Sequence, residues 1–242
     1  MRFALVPCVL LFTVAAIPAA AQPASFDRGY VHFNVGGLLG SSNLDQPGSF
    51  ELYDEIASFN VRGDVGGGAL VDVGGGVRVW RRLYAGVSYS RTSDSSDATL
   101  TGEVPDPLFT DRLRPISGTV SGLKHTEHAV HLQAVWRQPV HSSVDVALFV
   151  GPTFFTIEQD VVSGFAVTEP TPSLGSLTTA SPSEGAVGFH IGADVAYRVM
   201  RRIGVGLLLR YAGGSVDLPV ANRETSLDVG GLHVGAGVRI GF

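Results

Sequence analysis

The 242-residue sequence has one cysteine, Cys8, and it lies in an apolar stretch close to the N-terminus. Whatever stabilises the rest of the chain is not a disulfide framework. After Ile17 no run approaches the ~18 consecutive apolar residues that a membrane-spanning helix needs, although 45% of all residues are hydrophobic. A helical anchor is therefore excluded. The glycine clusters Gly66–Gly68 and Gly74–Gly76 are followed by neither a Lys-Ser/Thr pair nor a helical pattern, so they do not form a phosphate-binding loop. The formal net charge of −5 gives no basic surface for a polyanion, and nucleic acid is not an expected partner.

What is present begins with MRFALVPCVLLFTVAAIPAAAQ: an early Arg2, an apolar core from Phe3 to Ile17, and small residues up to Ala21. This is the layout of a secretory signal, which divides the chain into a signal at 1–21 and one mature domain at 22–242. Glycine is abundant, at 31 residues. Combined with clustered prolines, this favours strands joined by turns.

The mature chain repeats one pattern, an apolar residue at every second position. Successive side chains of a strand point to opposite faces, so each such segment has one wholly apolar face. Eight are predicted, beginning with Val31, Phe33 and Val35 set against Tyr30, His32 and Asn34, and ending with Leu232, Val234, Val238, Ile240 and Phe242 set against His233 and Arg239. The spacers alternate in length. Arg81-Arg82, Gln138 to Ser143 and Met200 to Arg202 are short, whereas about Ser41 to Asp64, Asp94 to Gly122, Gln159 to Gly185 and Asp217 to Ser226 are long and polar. Those four hold fifteen acidic and four basic residues. Short turns at one end and long loops at the other predict an all-β fold, an eight-stranded antiparallel up-and-down transmembrane β-barrel whose apolar faces meet lipid. An internal echo, RVWRRLYAGVSYS (78–90) against RVMRRIGVGLLLR (198–210), falls on two of the predicted short turns.

Eight strands enclose a lumen just wide enough for side chains to fill. On its parity lie the acids Asp72, Glu127, Asp145 and Asp194 and the bases Arg78, Arg137, Arg198, Arg210 and Arg239. An anion site or selectivity ring is one reading of this set. A structural charge network is the reading taken, because buried charges must be paired. His32, His125, His131, His190 and His233 share that parity, and His125 with Glu127 is the best local pair for a ligand. None has metal-ligand spacing, so no metal, cofactor or catalytic residue is assigned.

With the signal, the eight amphipathic strands, the loop asymmetry and the terminal Phe242 in view, the chain resembles the small bacterial outer-membrane β-barrels of the OmpA, OmpX and OmpW kind. The resemblance implies residence in the bacterial outer membrane, contact with its lipid and lipopolysaccharide, and reading of the C-terminal strand by the barrel-assembly machinery through Phe242. The sequence leaves the oligomeric state open, with a monomer the first expectation. The expected role is non-enzymatic, structural or interacting through long extracellular loops. A narrow channel or binding protein for a small solute is the alternative, and a lipid-modifying enzyme the third reading.

Overall fold

The computed structural model describes residues 28–40, 42–65, 67–220 and 223–242. The signal at 1–21 lies outside the described residues. Among the described residues there are twelve strands: β1 (Gly29–Leu39), β2 (Ser42–Leu52), β3 (Glu55–Val65), β4 (Ala69–Trp80), β5 (Leu83–Pro105), β6 (Leu113–His141), β7 (Val144–Gln159), β8 (Val161–Thr168), β9 (Ser173–Ala180), β10 (Ser183–Arg198), β11 (Ile203–Val220) and β12 (Arg223–Gly241). Eight of them close a ring in the order β1-β4-β5-β6-β7-β10-β11-β12, every neighbour antiparallel. The last strand pairs with the first from Tyr30 opposite Gly241 to Leu39 opposite Leu232. Closure leaves no unpaired edge within the ring, which a sheet immersed in lipid requires.

The period-two pattern decides which face is which. Val31, Phe33, Val73, Val87, Leu132, Val150, Val195, Leu207 and Val238 all point outward and are exposed. Their neighbours Asn34, Asp72, His131, Thr153, Ala196, Leu208 and Arg239 are buried in the lumen. At the β1–β12 seam the strands run so close that a Cβ on Gly237 would lie 1.8 Å from the Phe33 carbonyl oxygen, so glycine is required there.

The short connections gather at one end of the barrel together with Arg28 and Phe242. The β6–β7 turn is tighter than the sequence suggests, since β6 runs on to His141 and absorbs a register shift between Pro139 and His141. At the opposite, distal end the expected polar loops are largely β-structure. Within 42–64 lies the β2–β3 hairpin, Asp94 to Gly122 prolongs β5 and β6, Gln159 to Gly185 contains β8 and β9, and residues 217–220 and 223–226 prolong β11 and β12. The physical reason is visible in the burial. Ala57, Phe59 and Val61 of β3, Ala98, Leu100 and Val104 of β5, and Ile116, Val120 and Leu123 of β6 pack with Val162 and Phe165 of β8. Asp45, Glu51, Asp64, Asp97 and Glu103 are exposed on the other face.

This distal head is therefore a small two-layer structure with its own core. β3 pairs with the upper part of β5 from Ser58 opposite Glu103 to Gly63 opposite Ala98, and the β8–β9 ribbon packs across the resulting sheet. Phe165 contacts Phe50 and Phe59 edge-on, with ring centroids 4.9 and 5.5 Å away. The buried Gln46 side chain joins the layers by donating to the Val162 carbonyl at 2.7 Å and accepting from its N–H at 3.3 Å.

Candidate functional site

The lumen is filled in layers. Nearest the short-turn end, Tyr30, Tyr84, Val135, Ala147, Phe149 and Leu208 form an apolar cluster. Beside it the buried Arg239 guanidinium grips Asp194, with Nε 3.1 and 3.2 Å from the two carboxylate oxygens and Nη2 closing the pair. The backbone of β11 makes room for it, because a Cβ on Gly206 would lie 2.7 Å from Arg239 Nε. The Arg137 guanidinium carbon lies over the Tyr30 ring, 4.1 Å from its centroid, and Arg198 reaches Asp145 at 3.4 Å.

The middle layer centres on Asp72, which is fully buried. It accepts from Arg210 Nη1 at 2.9 Å and from the Asn34 amide at 2.8 Å, and His32 Nε2 lies 3.0 Å away. Arg210 in turn donates to His233 Nδ1 at 3.1 Å and to the Ser88 hydroxyl at 3.3 Å. A second chain crosses the barrel one level higher. His131 sits 2.9 Å from both Ser90 and Thr153, and the Thr153 hydroxyl is also 2.9 Å from His190. Above these, Ala129, Phe155, Ile157, Ala212 and Val229 form a second apolar layer. Glu127 sits near it, 2.9 Å from His125, whose other nitrogen meets Gln159 at 2.7 Å.

The structure thus brings Asp72 to Arg210, Asp194 to Arg239 and Asp145 to Arg198, and Glu127 to a histidine rather than an arginine. Arg78 is not among them. It shares lumen parity but sits just before a register shift at the open end of β4, where its side chain is exposed. The histidines and hydroxyls that complete the network share lumen parity in the sequence; which pairs meet depends on strand order and stagger, which parity does not encode. Among the described residues no group of three or more His, Cys, Asp or Glu side chains is arranged to hold a metal ion.

A residual cavity of about 20 Å³ is bounded by Tyr30, Arg137, Arg210 and Arg239. That is the space of about one water molecule, and the side-chain layers fill the barrel axis around it.

The distal head carries the other concentration of charge. Arg114 grips Glu169 with two nitrogens at 2.5 and 2.7 Å, and the Tyr53 hydroxyl donates to the same carboxylate at 3.2 Å. These bonds to the ionised form hold the Glu169 carboxyl below the usual carboxylate range. At the β5–β6 tip Leu108 is 84% exposed, with Phe109 beside it under the Arg112 guanidinium.

The family profile described as the outer membrane protein beta-barrel domain matches residues 8–241. The chain belongs to that family. This outer-membrane β-barrel therefore resides in the bacterial outer membrane, and its exposed apolar wall faces lipid. Comparison of its sequence with curated proteins found no match. Among solved structures it is similar to Neisserial surface protein A, with 14% identity, 88% of this chain and 97% of that chain covered, and a TM-score of 0.43. For the outer membrane protease OmpT of Escherichia coli the values are 9%, 90%, 98% and 0.48. For OprG of Pseudomonas aeruginosa they are 11%, 89%, 96% and 0.41.

Phe242 ends the chain beside the first ring strand. It is on the outward parity, with its backbone oxygen accepting from the Arg28 and Gly29 N–H groups at 2.9 and 3.0 Å.

Proposed function

We propose that this outer-membrane β-barrel is a binding protein of the cell surface: a plugged, non-conducting barrel that anchors an ordered β-head and acts without catalysis. The observation that carries this reading is the head itself. A chain that merely needed to close its barrel would have no use for an eleven-residue buried core beyond the membrane. The head presents the Leu108–Phe109 tip outward, rimmed by Asp106, Asp111 and Arg112, and an exposed apolar tip on a stiff support is the form of an interaction surface. The charged groups of the lumen are engaged with one another, which suits a structural plug better than a site for turnover or transport. Arg28 and Phe242 lie together at the short-turn end, and with that end periplasmic the head would stand outside the cell. Phe242 and its strand present the assembly signal to the barrel-assembly machinery, and the barrel works as a monomer surrounded by lipid.

The test is retention of cells on protein-coated and on apolar-coated glass. Cells displaying the wild-type chain should be retained more than cells displaying Leu108→Ser/Phe109→Ser at equal surface level. Equal retention by both would remove the tip as the binding surface.

A further inference from the structure

The cavity of about 20 Å³ beside the lower apolar layer is lined by three guanidinium side chains, Arg137, Arg210 and Arg239, and by one carboxylate, Asp194. Both oxygens of that carboxylate are already held by Arg239. Arg210 is the informative member of the lining, because its side chain is only 1% exposed. Its Nε donates to His233 and its Nη1 to Asp72 and Ser88, while Nη2 has no hydrogen-bond partner among the described residues. A buried N–H left without an acceptor is costly, and more so on a charged group.

The charge balance points the same way. From the Asp72 layer to the short-turn end the lumen holds four guanidinium groups, Arg137, Arg198, Arg210 and Arg239, and three carboxylates, Asp72, Asp145 and Asp194. Glu127 stands in the upper layer with His125, and Arg78 is exposed. With the histidines neutral this leaves one positive charge in excess, whichever base each acid serves. An excess charge inside a packed barrel needs a counter-charge. A water molecule would accept from Arg210 Nη2 but would leave that excess standing. Size then selects the anion: the cavity exceeds the about 10–15 Å³ that one water requires and has no room for a tetrahedral phosphate or sulfate.

We propose that this cavity is a binding site for one halide ion, held inside the plug by Arg137, Arg210 and Arg239. The ion balances the charge of the lumen and stabilises the plugged barrel. The site does not depend on what the head binds.

The experiment uses full-length folded protein purified in neutral detergent and chloride-free gluconate buffer. Crystals are grown with sodium bromide, and bromide is located by its anomalous scattering. The expected result is a peak in the cavity among the three guanidinium groups that is absent from Arg137→Met, which removes the excess charge but keeps a long apolar side chain. Urea unfolding reads the same site in solution. Replacing gluconate by chloride at equal ionic strength should lower the unfolding equilibrium constant of the wild type about tenfold, as for an ion at about ten times its dissociation constant, and leave Arg137→Met unchanged. Arg62→Gln in the head should respond as the wild type does. A wild-type cavity without bromide would overturn the proposal, as would a peak of undiminished height in Arg137→Met. A bromide peak without a chloride response in solution would mean an adventitious ion only and would overturn it too. If Arg137→Met does not fold, the two wild-type measurements decide the matter by themselves.

Discussion

Asp72 shows most clearly what a single residue does here. It is buried without contact to solvent and neutralises an arginine that is buried as completely, and the pair is supported by Asn34, His32, Ser88 and His233. Charges taken out of water are tolerable only in such company, and removing one partner leaves the other uncompensated. Asp72→Ala should therefore destabilise the folded barrel by about 3–5 kcal/mol, the range for a broken buried pair, measured by urea unfolding in detergent. Arg62→Ala in the head breaks only an exposed contact to Asp45 and should cost about 1 kcal/mol or less in the same measurement. Equal effects of the two would mean that water reaches Asp72. In the sequence this much was legible: parity placed Asp72, Asp145, Asp194 and Arg210 inside, and buried charges must pair. Which acid meets which base was not, because that depends on the stagger of strands far apart in the chain. Arg78 marks the limit of parity alone, since inward parity at the open end of a strand still leaves a side chain in solvent.

Among the elements, the ring strands and the head strands obey the same rule, and only the first group was read from it. The ring strands carry glycine, charge or hydroxyl on one face and aliphatics on the other, a contrast that stands out. In β3 the buried Ala57, Phe59 and Val61 alternate with Ser58, Asn60 and Arg62, and the nearby acids make the whole segment resemble a loop in composition. Period two is present there, but the inward set is smaller. Phe59 tests whether the head is a packed unit. Its ring sits 5.5 Å from that of Phe165 and so close to Gly48 that a Cβ there would lie 2.3 Å from it. Phe59→Ala should destabilise the head by about 3–5 kcal/mol. Hydrogen exchange should accelerate at Ser58–Gly63 and Ala98–Glu103 while the β10–β11 ladder keeps its protection. Unchanged exchange in both regions would mean that the head has no core of its own.

For the whole molecule, the account joins a barrel that passes nothing along its axis to a head held rigid outside the membrane. Two apolar layers bracket the polar middle of the lumen, and the cavity beside the lower layer has about the space of one water molecule. Purified protein in planar bilayers should show no steady conductance above the bare membrane. A stable open level would replace the plugged barrel with a channel.

The central claim, an ordered head outside and short turns inside, is tested most directly by trypsin added to intact cells. Arg112 lies at the exposed β5–β6 tip, Arg62 within the β2–β3 ladder, and Arg201 and Arg202 in the short turn after β10. The account predicts cleavage after Arg112, with Arg62 resistant and Arg201 and Arg202 untouched until the cells are opened. Cleavage at Arg62 as fast as at Arg112, or at Arg201 and Arg202 in intact cells, would contradict it.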